Sequence, residues 1–202
     1  MPRVALLSAN LGGFEKKLWF KQKNIPSADI HMFTDSDFPP RYNAMTPRLQ
    51  ARIPKCLGWQ MKPGYDIYIW MDAQFGLRNG GVEYMLGHLG EKEMSVFRHP
   101  HHKTVQQEWD VINRDEAYIV ARYGGELDGG WDRSLPVYAG GIFIYRNIPK
   151  VQNMLKEWWY HNSRFSLDDQ LALSTVIKQF DVQINVIQDH IYNTNYFVPL
   201  RH

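Results

Sequence analysis

The sequence holds a single cysteine, Cys56, among its 202 residues. One thiol cannot form an intramolecular disulfide, and cysteine-poor chains are typical of reducing compartments. No apolar run approaches the roughly 18 residues that a membrane-spanning helix needs. The first apolar run, Val4–Leu7, is too short for the core of a secretory signal peptide. These absences predict a soluble, cytoplasmic protein without a membrane span.

Long blocks of lysine and arginine are also absent, and the formal net charge is only +2. Proteins that bind nucleic acid normally carry a basic patch for its phosphates, so we expect no nucleic-acid partner. The G-x-G-x-x-G fingerprint of dinucleotide-binding folds is missing after the first predicted strand. Gly12 and Gly13 stand there instead, where they either let a ligand approach the backbone or form a plain turn.

The composition is that of a globular protein, with 44% hydrophobic and 22% charged residues. A chain of this length can bury one substantial core, so we predict a single domain over residues 1–202, which could also be excised from a longer chain. Aromatic residues are frequent at 14%, with seven tryptophans. They suit a protein that stacks on flat or sugar-like ligands, although an aromatic core would explain them as well.

The segment Ile67–Met71 is the centre of the predicted fold. It reads Ile-Tyr-Ile-Trp-Met without polar alternation, which is typical of a strand that is buried on both faces. Ligands of open α/β sheets bind beyond the carboxyl ends of such strands, and Asp72 and Gln74 follow this one. Two oxygen ligands so placed can hold a divalent cation that neutralises a diphosphate. The alternative is that Asp72 only caps a turn or the next helix.

A helix is predicted to begin at Pro47, because proline suits the first helical turn. Pro54 is predicted to interrupt it. Arg48, Arg52 and Lys55 lie three or four residues apart in this segment, so they can share one helix face. Such a cluster suits the binding of a diphosphate, and a solvated basic face is the alternative. The other predicted strands are 3–9, 30–34, 94–97, 137–145 and 180–187, and the other helices are 82–89, 104–122 and 148–161.

Polar residues follow two of these strands. Asp35 comes after the second strand, where its carboxylate can accept a hydrogen bond from a nucleobase or a ribose, or else form an Asx-turn. The segment Arg98–Lys103 follows a later strand and contains three histidines. Because a proline lies among them and no cysteine or i,i+4 partner is in reach along the sequence, we do not predict a metal site there. We prefer a basic rim that contacts a phosphate or an acceptor, and a plain loop is the alternative.

Two adjacent carboxylates, Asp168 and Asp169, stand at the start of one more predicted helix. Ser166 and Asp169 are spaced like a capping box, which would give Asp169 a structural role. Asp168 would then remain at the positive end of the helix, where a carboxylate tends to stay ionised. A general base for an acceptor hydroxyl needs that form. A purely structural role for both carboxylates is the alternative.

Five segments, taken in order, resemble the motifs of GT-A-type glycosyltransferases, and in particular of glycosyltransferase-like domains with FTD, iW-D-x-S/Q, RHP and DQ motifs. The resemblance extends from about residue 4 to about residue 195. It implies a single α/β domain of GT-A type, with a mixed, mostly parallel central sheet flanked by helices. The segments are Phe33–Asp35, the basic segment ending at Lys55, Trp70–Gln74, Phe97–Pro100 and Asp168–Gln170.

The resemblance also implies roles for single residues. Asp72-Ala73-Gln74 stands where the family has its metal-binding DxD motif, although an amide oxygen is a weaker ligand for a hard cation than a carboxylate. The implied cofactor is Mn²⁺ or Mg²⁺, and His190 is the candidate for a C-terminal histidine that completes the metal shell in several such enzymes. The other implied contacts are with the nucleoside at Leu7, Ser8, Ala9 and Asp35, with the diphosphate at Arg52 or Lys55, and with the donor sugar or acceptor at Asp168, Asp169 and Gln170.

The implied function is transfer of a hexosyl or deoxyhexosyl group from a nucleotide-sugar, commonly a UDP-sugar, to a glycan or other hydroxyl acceptor. If Asp168 or Asp169 acts as the base, a single displacement inverts the anomeric centre, so we favour inversion. The alternative is a non-catalytic module that binds a nucleotide-sugar or a carbohydrate, which the amide of Gln74 favours. A phosphate-ester hydrolase is less favoured, because two-metal sites carry denser clusters of acids and histidines.

Overall fold

The computed structural model describes residues 2–15, 27–41, 45–112, 132–164 and 168–200. Within these ranges the chain forms eight strands and five α-helices, with a short 3₁₀ helix at Asp35–Asp37. The strands are β1 (Val4–Ala9), β2 (Asp29–Phe33), β3 (Ile67–Met71), β4 (Phe75–Leu77), β5 (Met94–Arg98), β6 (Tyr138–Arg146), β7 (Ile184–Ile187) and β8 (Phe197–Pro199). The helices are α1 (Pro47–Met61), α2 (Gly81–Leu89), α3 (Val105–Ile112), α4 (Pro149–Arg164) and α5 (Asp169–Gln179).

Six strands form one mixed sheet in the order β2-β1-β3-β6-β5-β7. β6 runs antiparallel to both of its neighbours, whereas the other neighbouring pairs are parallel. β4 and β8 form a separate two-stranded antiparallel ribbon. The predicted α/β fold, with a mixed and mostly parallel central sheet flanked by helices, is therefore confirmed.

β3 lies inside the sheet, and all five of its residues are buried, as its apolar pattern predicts. Tyr68 and Trp70 belong to a core that also contains residues of α1, α3, α4 and α5, whereas Ile67, Ile69 and Met71 belong to a second core with α2 and the ribbon. Successive side chains of a strand point to opposite faces of the sheet. A strand between two cores therefore requires an uninterrupted apolar run.

One edge of the sheet collects the chain segments from which a site can be built. β1, β2, β3, β5 and β7 all end at this edge, and β6 begins there because it runs in the opposite direction. The backbone N–H of Asp72, just after β3, donates to the carbonyl of Gly141, near the start of β6, at 2.8 Å. Open α/β sheets bind their ligands at the carboxyl ends of their strands.

α1 runs from Pro47 to Met61 without a break, so the predicted interruption at Pro54 is wrong. A proline inside a helix removes one backbone hydrogen bond and costs about 3 kcal/mol. Pro54 lies on the buried side of α1 together with Lys55 and Cys56. Most helical stability in proteins comes from such tertiary packing rather than from local propensity. The packing of this buried side therefore offsets the cost of the proline, and the helix continues past it.

Some predicted boundaries also differ from the observed ones. β7 begins at Ile184 rather than near Phe180, because Phe180 is the C-cap of α5 and Asp181 has a φ of +48°. The ribbon strands were not predicted, since three residues are too few to show a periodic pattern. The predicted helix 104–122 is observed over Val105–Ile112, and its remainder lies outside the described residues. No helix of the described ranges is long and apolar enough to cross a membrane.

Gly58 sets how closely α1 approaches β1. A Cβ atom on Gly58 would lie 2.3 Å from Cδ1 of Leu7, and Leu7 is buried, so its methyl group has little room to move. We expect Gly58→Ala to lower the free energy of unfolding by about 1–3 kcal/mol, the usual cost of overpacking, as measured by urea denaturation.

Gly87→Ala is the matched control, because Gly87 is also helical and no atom lies within 4 Å of its added Cβ. This variant should gain up to about 1 kcal/mol from helix propensity. A Gly58→Ala variant as stable as the parent protein would contradict the close packing of α1 on β1.

Candidate functional site

A cleft of about 370 Å³ opens at the carboxyl edge of the sheet. It lies beside the ends of β1 and β3, the start of β6, the N-terminal part of α1 and the first residues of α5. Basic, acidic and aromatic side chains all reach it. Its lining includes Ala9, Asn10, Phe14, Glu15, Arg48, Arg52, Lys55, Trp70, Asp72, Ala73, Gln74, His99, His101, Gly140, Gly141, Asp169, Gln170 and Tyr192.

Lys55 is the most deeply buried charge in the lining of this cleft, with 1% of its side chain exposed. Its ammonium forms an ion pair with Asp169, and Nζ lies 3.5 Å from Oδ1 of Asp72. It also lies 5.9 Å from the ring centre of Trp70 and 5.6 Å from that of Trp158. Burying an ammonium costs several kcal/mol unless it is paired. Two carboxylates and two indole faces together offset that cost.

Asp72 is held by its own strand. Its Oδ1 accepts a hydrogen bond from Nε1 of Trp70 at 2.7 Å, so the predicted alternative of a side-chain cap does not describe this carboxylate. Its other oxygen, Oδ2, has no hydrogen-bond partner among the described residues. The Asp72 side chain is 26% exposed and lines the cleft. One oxygen therefore positions the carboxylate, and the other is available to a ligand.

Two glycines of β6 make room for these charged groups. A Cβ atom on Gly140 would lie 3.2 Å from Oδ2 of Asp169 and 3.3 Å from Nζ of Lys55. A Cβ atom on Gly141 would lie 3.1 Å from the ring of Phe75 and 3.4 Å from Oδ2 of Asp72. Side chains at either position would crowd the buried charges. Paired glycines in a strand thus mark a close approach by neighbouring elements.

Asp168 is the N-cap of α5, and its carboxylate accepts a hydrogen bond from the backbone N–H of Gln170 at 3.1 Å. The predicted capping box of Ser166 and Asp169 is therefore wrong, and Ser166 itself lies outside the described residues. Asp169 instead turns into the protein, where its Oδ2 lies 3.3 Å from Nε of Arg52 and also pairs with Lys55.

The environments of the two adjacent carboxylates shift their pKa values in opposite directions. Burial, the charge of Asp169 and the charge of Glu108 raise the pKa of Asp168 from 3.8 to about 7. Burial alone would also raise the pKa of Asp169, but Arg52 and Lys55 outweigh it and hold that pKa below its usual value. The expectation that a carboxylate at this helix N-terminus tends to stay ionised therefore holds only in part for Asp168, whose pKa of about 7 leaves it partly protonated near neutral pH, because burial and two neighbouring carboxylates outweigh the helix N-terminus. A carboxylate that titrates near neutrality is suited to general acid–base chemistry.

No protein-family model matches this chain, and no curated protein matches it in sequence. Solved structures do match its fold. One is a glycosyltransferase involved in the glycosylation of the major capsid of the chlorella virus PBCV-1, with a TM-score of 0.55 and 10% identity over 93% of this chain and 82% of that chain. Another is mouse xyloside xylosyltransferase 1, with a TM-score of 0.50 and 9% identity over 92% of this chain and 85% of that chain.

This chain has a GT-A-type glycosyltransferase fold. The resemblance that the motifs indicate is therefore confirmed at the level of the fold. At identities of 9% and 10% the likeness extends no further than the fold, because one fold hosts many functions. Function has to be argued from the site.

A divalent cation in this GT-A fold can be tested against the residues after β3. Asp72 offers Oδ2, and Gln74 lines the same cleft with a side-chain amide that makes no hydrogen bond within the described residues. Two oxygen atoms of this kind suit Mg²⁺ or Mn²⁺, so Asp72 and Gln74 fit such an ion. Ala73 and Gln170 also line the cleft.

His190 lies outside the cleft that contains Asp72 and Gln74. It is exposed and borders a neighbouring pocket, and its Nδ1 accepts a hydrogen bond from the backbone N–H of Tyr192 at 3.3 Å. His190 lies in the loop after β7, and its neighbours Ile191 and Tyr192 in that loop line the cleft whereas His190 does not. The structure thus does not bring His190 to the other two predicted metal ligands, and its role as a ligand stays a prediction.

The residues predicted to contact the nucleoside are divided between cleft and interior. Ala9 lines the cleft, whereas Leu7 and Ser8 are buried within β1 and do not. Asp35 forms an ion pair with Arg41, and its two oxygens accept the backbone N–H of Gly12 at 3.1 and 3.0 Å. Asp35 therefore fixes the turn that follows β1, and any nucleoside contact by these four residues stays a prediction.

Sequence reasoning did not single out two aromatic residues of the cleft. Phe14 is 78% exposed and Tyr192 is 40% exposed, and both line the cleft. The ring of Tyr192 stacks on Phe75, with 5.5 Å between the ring centres. Single aromatic residues in loops produce no periodic signal, so only the overall aromatic excess hinted at them.

His99, His102 and Glu108 form a compact cluster beside the cleft, with their possible ligand atoms within 4.8 Å of one another. Nδ1 of His102 forms a hydrogen bond with Oε2 of Glu108, and this oxygen lies 3.7 Å from Nε2 of His99. The Nδ1 of His99 accepts the backbone N–H of His102 at 2.9 Å. A neutral imidazole that accepts at Nδ1 carries its hydrogen on Nε2, and a protonated nitrogen does not bind a metal. We interpret the cluster as a hydrogen-bonded network.

The pairing of Lys55 with Asp169 gives a test of stability. Lys55→Met leaves a buried carboxylate with one cation fewer, so we expect a loss of about 3–5 kcal/mol in the free energy of unfolding. The double variant Lys55→Met/Asp169→Asn should lose less than the sum of the single variants, with a coupling of about 1–3 kcal/mol. Lys178→Met is the matched control, because it breaks an exposed pair with Asp132 and should cost at most about 1 kcal/mol. Additive losses from the two buried substitutions would contradict the pairing.

The raised pKa of Asp168 predicts how the stability of the protein depends on pH. Below pH 3.8 the carboxyl is protonated in both the folded and the unfolded chain, so folding meets no penalty. Between pH 3.8 and about 7 this carboxyl ionises in the unfolded chain before it ionises in the folded one. Its contribution to the free energy of unfolding therefore falls as the pH rises. We therefore expect Asp168→Asn, which keeps a capping side chain, to gain stability over the parent protein as the pH rises from about 4 to 7 and to hold a constant advantage above.

Asp169→Asn provides the opposite case, because the lowered pKa of Asp169 stabilises the fold above its unfolded pKa and loses that effect in acid. Thermal unfolding of the three proteins from neutral pH down to below pH 3.8 measures both effects, since the effect of Asp169 appears only below its unfolded pKa. A constant difference between Asp168→Asn and the parent protein would contradict the raised pKa.

Proposed function

We propose that this protein is a glycosyltransferase that moves a sugar from a nucleotide-sugar, of the UDP-sugar class, to a glycan or other hydroxyl acceptor. The observation that supports it most is the composition of the cleft after β3. There, one carboxylate with an available oxygen, Asp72, faces the same space as the basic row of α1. A metal-bridged diphosphate needs both kinds of group.

The diphosphate contact is proposed for Arg48 ahead of the other two basic residues. Arg52 and Lys55 are both buried and engaged with the single carboxylate of Asp169, so their charges are neutralised only in part and their polar groups are already occupied. Arg48 is exposed, lines the cleft and has no ion-pair partner within the described residues. A guanidinium can bind two phosphate oxygens at once. Arg52 and Lys55 would then add a positive electrostatic potential from the buried side of the cleft, and their pairing with Asp169 would hold α1 to the start of α5.

Asp72 and Gln74 are proposed to hold Mn²⁺ or Mg²⁺, which would neutralise the charge of the departing diphosphate when bound. The chain itself supplies the position: Trp70 fixes one oxygen of Asp72 and leaves the other for the ion. Because Gln74 contributes a neutral oxygen, the diphosphate would have to supply further ligands. Binding of the ion should therefore depend on the nucleotide.

An inverting single displacement is the proposed reaction. The acceptor oxygen forms a bond to the anomeric carbon, the bond from that carbon to the diphosphate oxygen breaks, and the acceptor proton passes to a carboxylate. Asp168 is proposed for that last role. It does not itself line the cleft, but it caps α5 directly before Asp169 and Gln170, which do, and its pKa of about 7 lets it both exist as a base and retain the proton near neutral pH. Asp169 is already committed to Arg52 and Lys55, so its proposed part is to position these residues and the start of α5. The transferred group is proposed to be a hexose or deoxyhexose.

The exposed aromatic rings of the cleft suit the flat parts of such a donor. Phe14 lies in the cleft near the end of β1. Tyr192 stacks on Phe75, the first residue of β4. Aromatic faces stack on nucleobases and on the apolar faces of sugars. We propose that Phe14 contacts the base and that Tyr192 contacts the donor sugar, since Asp72 and the diphosphate would lie between them.

Nucleotide binding tests this proposal. UDP at about 100 times its dissociation constant should stabilise the protein by about 2.7 kcal/mol, or roughly 5–10 °C in Tm for a chain of this size, when Mn²⁺ is present. Without the ion the shift should be much smaller. Asp72→Asn keeps an oxygen for Trp70 but loses the charge, so it should abolish the Mn²⁺-dependent part.

Arg48→Ala should weaken UDP binding by about tenfold to a hundredfold, the cost of losing a charged hydrogen bond. Arg78→Ala is its matched control, because Arg78 is also exposed and lies outside the cleft. Mn²⁺-independent stabilisation by UDP, or equal losses in the two arginine variants, would contradict the proposed site.

A non-catalytic module that binds a nucleotide-sugar is the second candidate. The observation that favours it is the position of His190 outside the cleft, which leaves one carboxylate, Asp72, and one amide, Gln74, as the members of the predicted metal set that line the cleft. Incubation with UDP-sugars and Mn²⁺ separates the two candidates. Release of UDP, by transfer or by slow hydrolysis of the donor, supports the enzyme, whereas tight binding without release supports the module.

A further inference from the structure

A second pocket, of about 260 Å³, adjoins the cleft at the ends of β5 and β7. We call it the histidine pocket, and it is bordered by the segments Arg98–Lys103 and Gln188–His190. His99, Pro100 and His101 line both the pocket and the cleft. A ligand in the histidine pocket would therefore lie next to a ligand in the cleft.

The histidine pocket carries an excess of positive charge. Arg98 and Lys103 are exposed, and neither side chain has an ion-pair partner within the described residues. The one carboxylate of the lining, Asp189, accepts a hydrogen bond from the hydroxyl of Tyr84 at 2.6 Å, which ties it to α2. Cations that converge on a concave surface attract anions more strongly than the same charges on a flat one.

The rings in the histidine pocket are imidazoles. Its lining contains no phenylalanine, tyrosine or tryptophan among the described residues. A neutral sugar would find no large aromatic face there to stack on. Imidazole N–H groups and a guanidinium instead donate hydrogen bonds to carboxylate or phosphate oxygens, and an arginine can do so in bidentate geometry.

The strand order places this pocket in line with the proposed donor. The part of the cleft between the ends of β1 and β3 offers the proposed contacts with the nucleobase and the diphosphate. The strands β6, β5 and β7 follow along the same edge of the sheet. The next space after the donor sugar is the histidine pocket. We propose that this pocket binds the acceptor, and that the acceptor carries a carboxylate or a phosphate ester that Arg98 and Lys103 hold; this rests on the proposed glycosyltransfer.

Three small probes test the pocket directly: glucuronate, glucose 6-phosphate and neutral glucose. Each is titrated into the full chain while the ring Cε1–H resonances of His101 and His190 are followed by NMR. We expect the two anionic sugars to shift these resonances with saturation and glucose to leave them in place. The tighter of the two anions then distinguishes a phosphorylated acceptor from an acidic-sugar acceptor.

The variants separate a local site from a general effect of charge. Arg98→Ala/Lys103→Ala should weaken binding of the preferred anion at least about tenfold. Arg78→Ala/Lys92→Ala removes the same charge from exposed positions outside both cavities and should leave that binding unchanged. Both double variants should bind UDP with Mn²⁺ as the parent protein does.

The outcomes are distinct. Equal binding of glucose, or equal weakening by the two double variants, overturns the anion site. Failure of both anions alongside normal UDP binding overturns the acceptor proposal and leaves the proposed glycosyltransfer standing. Failure of UDP alongside specific anion binding removes the acceptor role, because no donor would then lie beside the pocket.

Discussion

The buried ammonium of Lys55 is the interaction on which the rest of this site depends. A cation with 1% of its side chain exposed has to be paired, and its partners come from three separate elements. Asp169 lies at the start of α5, Asp72 follows β3, and the indole of Trp158 comes from α4. Satisfying this one charge therefore brings α1, α4 and α5 to the carboxyl edge of the sheet. The floor of the cleft is the result.

This arrangement divides the charged groups of the cleft between structure and binding. Lys55 and Arg52 share the single carboxylate of Asp169 below the surface and keep an excess of positive charge there, whereas Arg48 and Oδ2 of Asp72 have no ion-pair or hydrogen-bond partner within the described residues. Because the buried set is already satisfied, it does not compete with the exposed set for a ligand. A cation–diphosphate pair would thus meet one available carboxylate oxygen and one available guanidinium in a preformed cleft, with little reorganisation to offset binding.

Much of the fold could be predicted from local sequence, whereas the site could be predicted only in part. An apolar run such as Ile67–Met71 is enough to predict a strand that is buried on both faces. The general rule that ligands bind at the carboxyl ends of such strands then places Asp72 at the ligand-binding edge. The pairing of Lys55 with Asp169 joins residues 114 positions apart, and nothing in either neighbourhood announces it. The pKa of Asp168 depends in the same way on tertiary structure, because burial raises it most, and Asp169 and then Glu108 from a different helix raise it further. His190 illustrates the converse, because its sequence position suggests a ligand while the loop after β7 turns Ile191 and Tyr192, and not His190, to the cleft.

The most direct test of the account is a crystal structure of the protein with UDP and Mn²⁺, with anomalous differences recorded at the manganese edge. We expect a manganese peak bonded to Oδ2 of Asp72, with the diphosphate against the guanidinium of Arg48 and the ion pair of Lys55 and Asp169 unchanged. A nucleotide bound away from the cleft, or a manganese peak between His99, His102 and Glu108 with none at Asp72, would contradict it.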